Sequence, residues 1–221
     1  MFRLMRERLF TAAVGDVLDT MGFPHQFLPP GIVALRRDMV TAGRAMPVLE
    51  ADYFARADER GRTELSRRPF GLMFEALDDL KPNEVYIASG GSPRYALWGE
   101  LMSTRALQLG AAGAVVNGYS RDTRGILALG FPTFSRGSYA QDQSYRGKVV
   151  DFRVPIEMEG VAIAPGDIVF GDADGVLVIP RDAAHEAISR ALEKVSQESA
   201  VRTAIVKGMS TVDAFEKFGV M

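Results

Sequence analysis

Arg121 and Asp122 stand side by side a few residues beyond a short apolar run, Ala114-Val115-Val116, that ends at Asn117-Gly118. Arginine presents a planar fork that matches a carboxylate, and aspartate offers a hard oxygen to a divalent cation. The pair can hold a small organic acid from two directions, through a guanidinium and through a metal. A second group lies upstream, in Gly99-Glu100-Leu101-Met102, where a helix opens and runs to Leu109. The first amides of a helix lack intrahelical acceptors and sit at the positive end of its dipole, so Leu101 and Met102 suit an anion. The bland alternatives are a surface ion pair for Arg121-Asp122 and an ordinary first-turn acid for Glu100.

The elements around these residues read as an α/β chain. Residues 114–117, apolar and bounded by glycine, suit a strand covered on both faces. Ligands in α/β folds gather where strands end. Earlier segments predict a helix over 11–21 capped by Thr11, strands over 32–35 and 39–46, and a charged surface excursion over 51–68. A helix opening at Pro69, with Phe70, Met73, Phe74 and Leu77 on one face, precedes a strand over 85–88. After a short helix over 125–129 and a strand over 131–134, residues 149–154, 161–163, 168–170 and 176–179 predict further strands. Asp172-Ala173-Asp174-Gly175 forms a hairpin turn between the last two. One long helix over 182–206 and a short one capped by Ser210 complete the chain. With no repeat or linker, residues 1–221 read as a single domain.

Composition narrows the chemistry. The chain has no cysteine, which removes disulfides, thiolate nucleophiles and cysteine zinc sites. Its two histidines, His25 and His185, are far apart, so oxygen ligands dominate and Mg2+ or Mn2+ is favoured over Zn2+. A net charge of −2 with scattered basic residues gives no nucleic-acid footprint. No apolar run is long enough to span a membrane, and the charged N-terminus does not read as a secretory signal, so a cytoplasmic protein is expected.

Five segments occur in a familiar order: Gly15-Asp16-Val17-Leu18-Asp19, Trp98-Gly99-Glu100-Leu101-Met102, Asn117-Gly118-Tyr119-Ser120-Arg121-Asp122, Phe131-Pro132-Thr133-Phe134, and Pro165-Gly166-Asp167 with Asp174-Gly175-Val176. In these the chain resembles the RraA-like family, which includes the 4-hydroxy-4-methyl-2-oxoglutarate aldolases and a regulator that binds and inhibits ribonuclease E. The resemblance runs from about residue 11 to the C-terminus. It implies a single domain of swivelling β/β/α layers with mixed sheets, assembled as trimers or hexamers with sites between subunits.

It also implies a divalent-metal-dependent pyruvate aldolase of class II, with oxaloacetate decarboxylation as a related activity. Arg121 then clamps the substrate carboxylate, Asp122 binds the metal, and Glu100 acts on the metal through water. Leu101 and Met102, next to Gly99, grip the carboxylate through their amides. Glu198, on the C-terminal helix of a neighbouring subunit, completes the metal shell. The chain departs from the family pattern at Asn117, where many members carry aspartate, and Tyr119-Ser120 with the segment Tyr139-Ala140-Gln141-Asp142-Gln143 are its own candidates for substrate specificity. A lysine Schiff base is disfavoured, because Lys81, Lys148, Lys194, Lys207 and Lys217 read as surface or turn positions. The competing function is the non-catalytic ribonuclease E regulator.

Overall fold

The structure, a computed structural model, describes residues 1–54 and 61–219. Helices α1 (Phe2–Arg8) and α2 (Thr11–Thr20) precede strands β1 (Val33–Ala34) and β2 (Thr41–Asp52). Then come α3 (Glu64–Arg67), α4 (Met73–Asp78), β3 (Glu84–Ser89), β4 (Ala96–Trp98), α5 (Glu100–Gln108), β5 (Gly113–Val116) and β6 (Tyr119–Ser120). The chain continues through α6 (Thr123–Leu129), β7 (Thr133–Ser135), β8 (Gly147–Phe152), β9 (Ile156–Met158), β10 (Val161–Ile163), β11 (Ile168–Asp172) and β12 (Gly175–Ile179). It ends in α7 (Ala184–Val206) and α8 (Thr211–Phe218).

One mixed sheet organises the molecule, in the order β1-β7-β5-β3-β2-β11-β12, with β8 also paired to β2. The run β7-β5-β3-β2 is parallel, and β11, β12 and β8 join antiparallel. This is a mixed α/β single domain with a long C-terminal helix, the class the family resemblance implies.

Alternation along the parallel strands sorts their side chains into two cores. Tyr86, Ala88, Ala114 and Val116 face α4, α5 and α6 through Met73, Ala76, Leu77, Ala106 and Ile126. Val85, Ile87 and Val115 face the opposite way, onto Ile156, Met158, Val161 and Ile163 of the β9–β10 hairpin. A third cluster packs α1, α2 and α7 against β11 and β12.

Several boundaries differ from the sequence expectation. β2 runs through Asp52, beyond the expected 39–46, because its second half gains β8 as a partner. Within the expected excursion over 51–68, residues 51–52 are strand and 64–67 helix; 55–60 lie outside the described residues. The helix expected from Pro69 begins at Met73, since Leu72 N bonds to Val149 O and ties the approach to β8. Thr11 opens α2 as its first residue instead of its cap; its amide and hydroxyl both bond to Asp172, at 2.7 Å each. Strands β4, β6 and β9 and helix α1 were not anticipated. The hairpin turn at 172–175 is as expected, and α7 falls within the expected 182–206.

Candidate functional site

Strands β3 and β5 end side by side, and each chain segment continues past the sheet into a further small strand. Those strands, β4 and β6, pair in parallel, with Ala96 opposite Tyr119 and Trp98 opposite Ser120. The pairing fixes where the next residues go: Gly99 and Arg121 leave the two-stranded sheet next to each other. Arg121 N donates to Trp98 O at 2.9 Å, which closes the junction. The opening of α5 and the Arg121-Asp122 pair, 22 residues apart by numbering, thereby share one place.

The first turn of α5 is set by Gly99, whose extended backbone caps it, and Ser103 N is the first amide to bond back, to Gly99 O at 3.0 Å. Glu100, Leu101 and Met102 therefore direct their amides forward without intrahelical acceptors. Beneath them Trp98 is buried against Tyr86 and Phe131, and its Nε1 donates to Ser103 Oγ at 2.7 Å. Ser103 Oγ in turn donates to Gly99 O at 3.0 Å, so one buried hydroxyl joins the indole to the cap.

Asp122 sits in the left-handed backbone region, at φ 57°, as the cap of α6. A non-glycine residue there is uncommon, and aspartate is among the residues that tolerate it. The bend turns its carboxylate back toward α5: a Cβ added to Gly99 would stand 3.0 Å from Asp122 Oδ2. Glu100 lies across the first turn of α6, where a Cβ on Gly125 would come within 2.2 Å of its Cδ. Two glycines thus leave room for two carboxylates.

A cavity of about 440 Å3 opens here, within the range of small-molecule sites. Gly99, Leu101, Met102, Arg121 and Asp122, all anticipated from the sequence, line it together. Glu100 flanks the cavity without lining it. Glu198 is elsewhere in this chain, on α7, paired with Lys194 at 3.6 Å. Asn117 accepts from Arg136 Nε at 2.8 Å and is also off the cavity wall.

Asp142 and Gln143, expected only as part of a specificity segment over 139–143, reach the site itself, and Glu50 was missed. Arg121 Nη1 pairs with Asp142 Oδ1 at 2.7 Å, while its Nε stands 3.7 Å from Asp122 Oδ2. Burial alone would raise the Asp142 carboxyl, but the Ser144 hydrogen bonds and the Arg121 charge outweigh it and hold it below the usual range. Next to it Gln143, 3% exposed, lines the cavity and donates from Nε2 to Glu50 Oε2 at 2.8 Å. Burial pushes the Glu50 carboxyl up to about 8 despite that hydrogen bond, so it is largely protonated at neutral pH. The legible signal for Glu50 was a lone acid among the apolar residues of 45–51.

Lys148 requires a correction. Read as a surface or turn residue, it is only 6% exposed, with Nζ donating to Arg68 O and lying 4.8 Å from the Tyr53 ring centre. Burial lowers its ammonium below the ordinary lysine value. It does not line the cavity that holds Arg121.

Among the described residues, no cluster of three or more His, Cys, Asp or Glu side chains stands ready to hold a metal by itself. Asp122 and Glu100 nonetheless supply hard oxygens of the type Mg2+ or Mn2+ takes, and the Gly99 cradle that a Cβ would crowd leaves space beside Asp122.

Fold and cavity together describe an α/β domain whose paired strand ends frame a cleft of mixed charge. The RraA-like family model, described as Aldolase/RraA, matches residues 11–178, and the chain belongs to that family. It is 33% identical over 209 residues to Protein DlpA of Legionella pneumophila, covering 94% of this chain and 32% of that protein. The chain thus spans about a third of DlpA. It is 29% identical over 146 residues to a 4-hydroxy-4-methyl-2-oxoglutarate aldolase of Thermus thermophilus, covering 65% of this chain and 88% of that one. RraAS2 of Streptomyces coelicolor, an unusual member of the RNase ES inhibitor RraA protein family, superposes with a TM-score of 0.75 at 24% identity, covering 88% and 92% of the two chains. That last likeness is one of fold. Among the described residues no helix is long and apolar enough to cross a membrane.

Proposed function

We propose that this protein is a divalent-metal-dependent lyase of short 2-oxo acids, cleaving 4-hydroxy-2-oxo acids and decarboxylating oxaloacetate through the same enolate. The observation that carries the reading is the β4–β6 register, which sets the open amides of α5 against Arg121 and Asp122 in one cavity. The relatives named as aldolases support it.

The residues divide the task by charge. The Leu101 and Met102 amides and the Arg121 guanidinium bind the carboxylate next to the keto group, with charge-assisted hydrogen bonds that fix its orientation. Arg121 Nη1 pairs with Asp142, while its Nε stands 3.7 Å from Asp122 Oδ2, beyond hydrogen-bond reach, so the Nε edge of the fork is the one that takes the ligand. Asp122 would hold the cation, Glu100 would act on it through water, and Glu198 of the partner subunit would complete the shell in a trimeric or hexameric assembly. The cation, when bound, stabilises the developing oxyanion as a Lewis acid. A water held by the Glu100 carboxylate takes the 4-hydroxyl proton, and Arg121 adds fixed positive charge where the enolate forms.

Pyruvate release from oxaloacetate and from 4-hydroxy-4-methyl-2-oxoglutarate tests this. Turnover is expected with Mg2+ or Mn2+ and lost on chelation, and Arg121→Ala and Asp122→Ala should each lower kcat/KM by about a hundredfold or more. Turnover indifferent to EDTA, or intact in both variants, would sink the reading. Absent turnover together with tight ribonuclease E binding would instead favour a regulator.

A further inference from the structure

The cavity carries two guanidiniums on different walls. Arg121 leaves the strand ends, and Arg105 projects from α5 where that helix meets α4. Leu101, Met102 and Arg105 are spaced four and three residues apart, which puts them on one face of α5 along the same cavity. Arg105 therefore stands about 4.5–6 Å further along the helix axis than the open amides that take the first carboxylate. The end carbons of a five-carbon chain are separated by roughly 5 Å, at about 1.5 Å per bond. One turn of α5 spaces its two anion-binding features on the scale of a five-carbon diacid.

Arg105 is only partly engaged. Its Nε donates to Asp78 Oδ1 at 2.7 Å, and among the described residues neither Nη has a partner. The side chains of the pair are 42% and 63% exposed, and an ion pair so open to water holds its partners weakly. The planar fork can accept a second carboxylate on its Nη edge while Asp78 swings into solvent. The rest of that wall is hydrocarbon from Met73, Phe74 and Leu77, and the other charged lining groups besides Arg121 are the acids Asp122 and Asp142. A remote carboxylate has Arg105 as its one cationic partner among the lining residues.

We propose that Arg105 is a specificity-determining residue: it binds the carboxylate remote from the keto group of a five-carbon 2-oxo diacid, and Asp78 is the internal carboxylate that yields to it. The proposal rests on the lyase reading above, which gives the first carboxylate to Arg121 and the α5 amides. In the empty site Asp78 neutralises Arg105. When the diacid enters, the Arg105–Asp78 contact opens and a charge-assisted contact to the Nη groups replaces it. Asp78 still repels the incoming anion, so its charge keeps affinity below what Arg105 alone would give.

Titration calorimetry on the full chain in Mg2+ reads this with three acids that lack a 4-hydroxyl. Oxalate fills the clamp alone. 2-Oxoglutarate and 2-oxopentanoate have the same chain length and differ only in a terminal carboxylate or methyl. 2-Oxoglutarate should bind at least tenfold more tightly than 2-oxopentanoate, the scale of one hydrogen bond to a charged group. Arg105→Gln should bring the two within about twofold of each other. Asp78→Asn should tighten 2-oxoglutarate severalfold, and oxalate should bind both variants as it binds wild type. Equal binding of the two five-carbon acids by wild type, or a preference that survives Arg105→Gln, overturns the proposal. So does weaker 2-oxoglutarate binding in Asp78→Asn, or a variant that weakens all three acids together, since Arg105 and Asp78 would then only support the wall. If oxalate itself fails to bind, the lyase reading falls and takes this one with it, whereas oxalate binding without the carboxylate preference defeats the Arg105 assignment alone.

Discussion

Arg121 is held in place by its own chain, with Asp142 on one side and Asp122 on the other. The pair was visible in the sequence because two charged residues come closely after a buried strand. The segment holding Asp142 and Gln143 was noted, but its contact with Arg121 was not legible, since it lies on an irregular stretch about 20 residues later that only tertiary folding brings to the guanidinium. Arg121 is partly exposed, so Arg121→Ala should cost under about 1 kcal/mol of stability in urea denaturation, far less than its effect on turnover. Ser103 behaves oppositely. It is buried between the Trp98 indole and the Gly99 carbonyl, and Ser103→Ala strands the indole N–H. A loss of roughly 1–3 kcal/mol is expected, with a parallel drop in carboxylate affinity as the α5 opening loosens. Unchanged stability would mean the indole finds another acceptor.

At the scale of elements, the helix over 100–108 and the strand before Asn117 were legible because periodicity and glycine boundaries mark them. Strands β4 and β6 were not. Three and two residues carry no readable alternation, and their pairing is decided by where β3 and β5 stop. That pairing is what makes the site, so its parts could be recognised while its geometry could not. The turn into α6 offers a test at this scale. Gly125 lies in that helix, and Gly125→Ala should keep or slightly raise stability through helix propensity, by up to about 1 kcal/mol. The added Cβ would occupy the space of the Glu100 carboxyl and push it aside. Turnover should fall at least tenfold while the melting temperature holds. Full activity in Gly125→Ala would remove Glu100 from the mechanism.

The whole molecule bears the cost of a deeply buried acid, Glu50. Glu50 lies in β2, the strand paired with β3, β8 and β11; its Oε2 accepts from Gln143, and its buried Oε1 has no partner among the described residues. The folded protein keeps the Glu50 proton up to about pH 8, while the unfolded chain releases it near 4.5. Between those values the unfolded state binds fewer protons, so this contribution to stability is full below pH 4.5 and fades as pH rises to about 8. The stability difference between wild type and Glu50→Gln should therefore shift against wild type by on the order of 3 kcal/mol from about pH 5 to about pH 8. Urea denaturation at several pH values reads it directly, and a flat difference would place Glu50 in a wetter setting. The fold class and long C-terminal helix were legible from pattern and family order. The long-range contacts that bury Glu50 and Lys148 were not, because both lie in strands whose second face is covered only after β2 and β8 pair.

The central claim is that the α5 opening, Arg121 and a cation at Asp122 meet on a single carboxylate. Crystals grown with Mn2+ and oxalate, measured at the manganese absorption edge, address it in one map. An anomalous peak is expected in direct contact with Asp122, with oxalate bridging that peak to Arg121 and the Leu101 and Met102 amides. Manganese bound away from Asp122, or oxalate seated without touching Arg121 or α5, would contradict it.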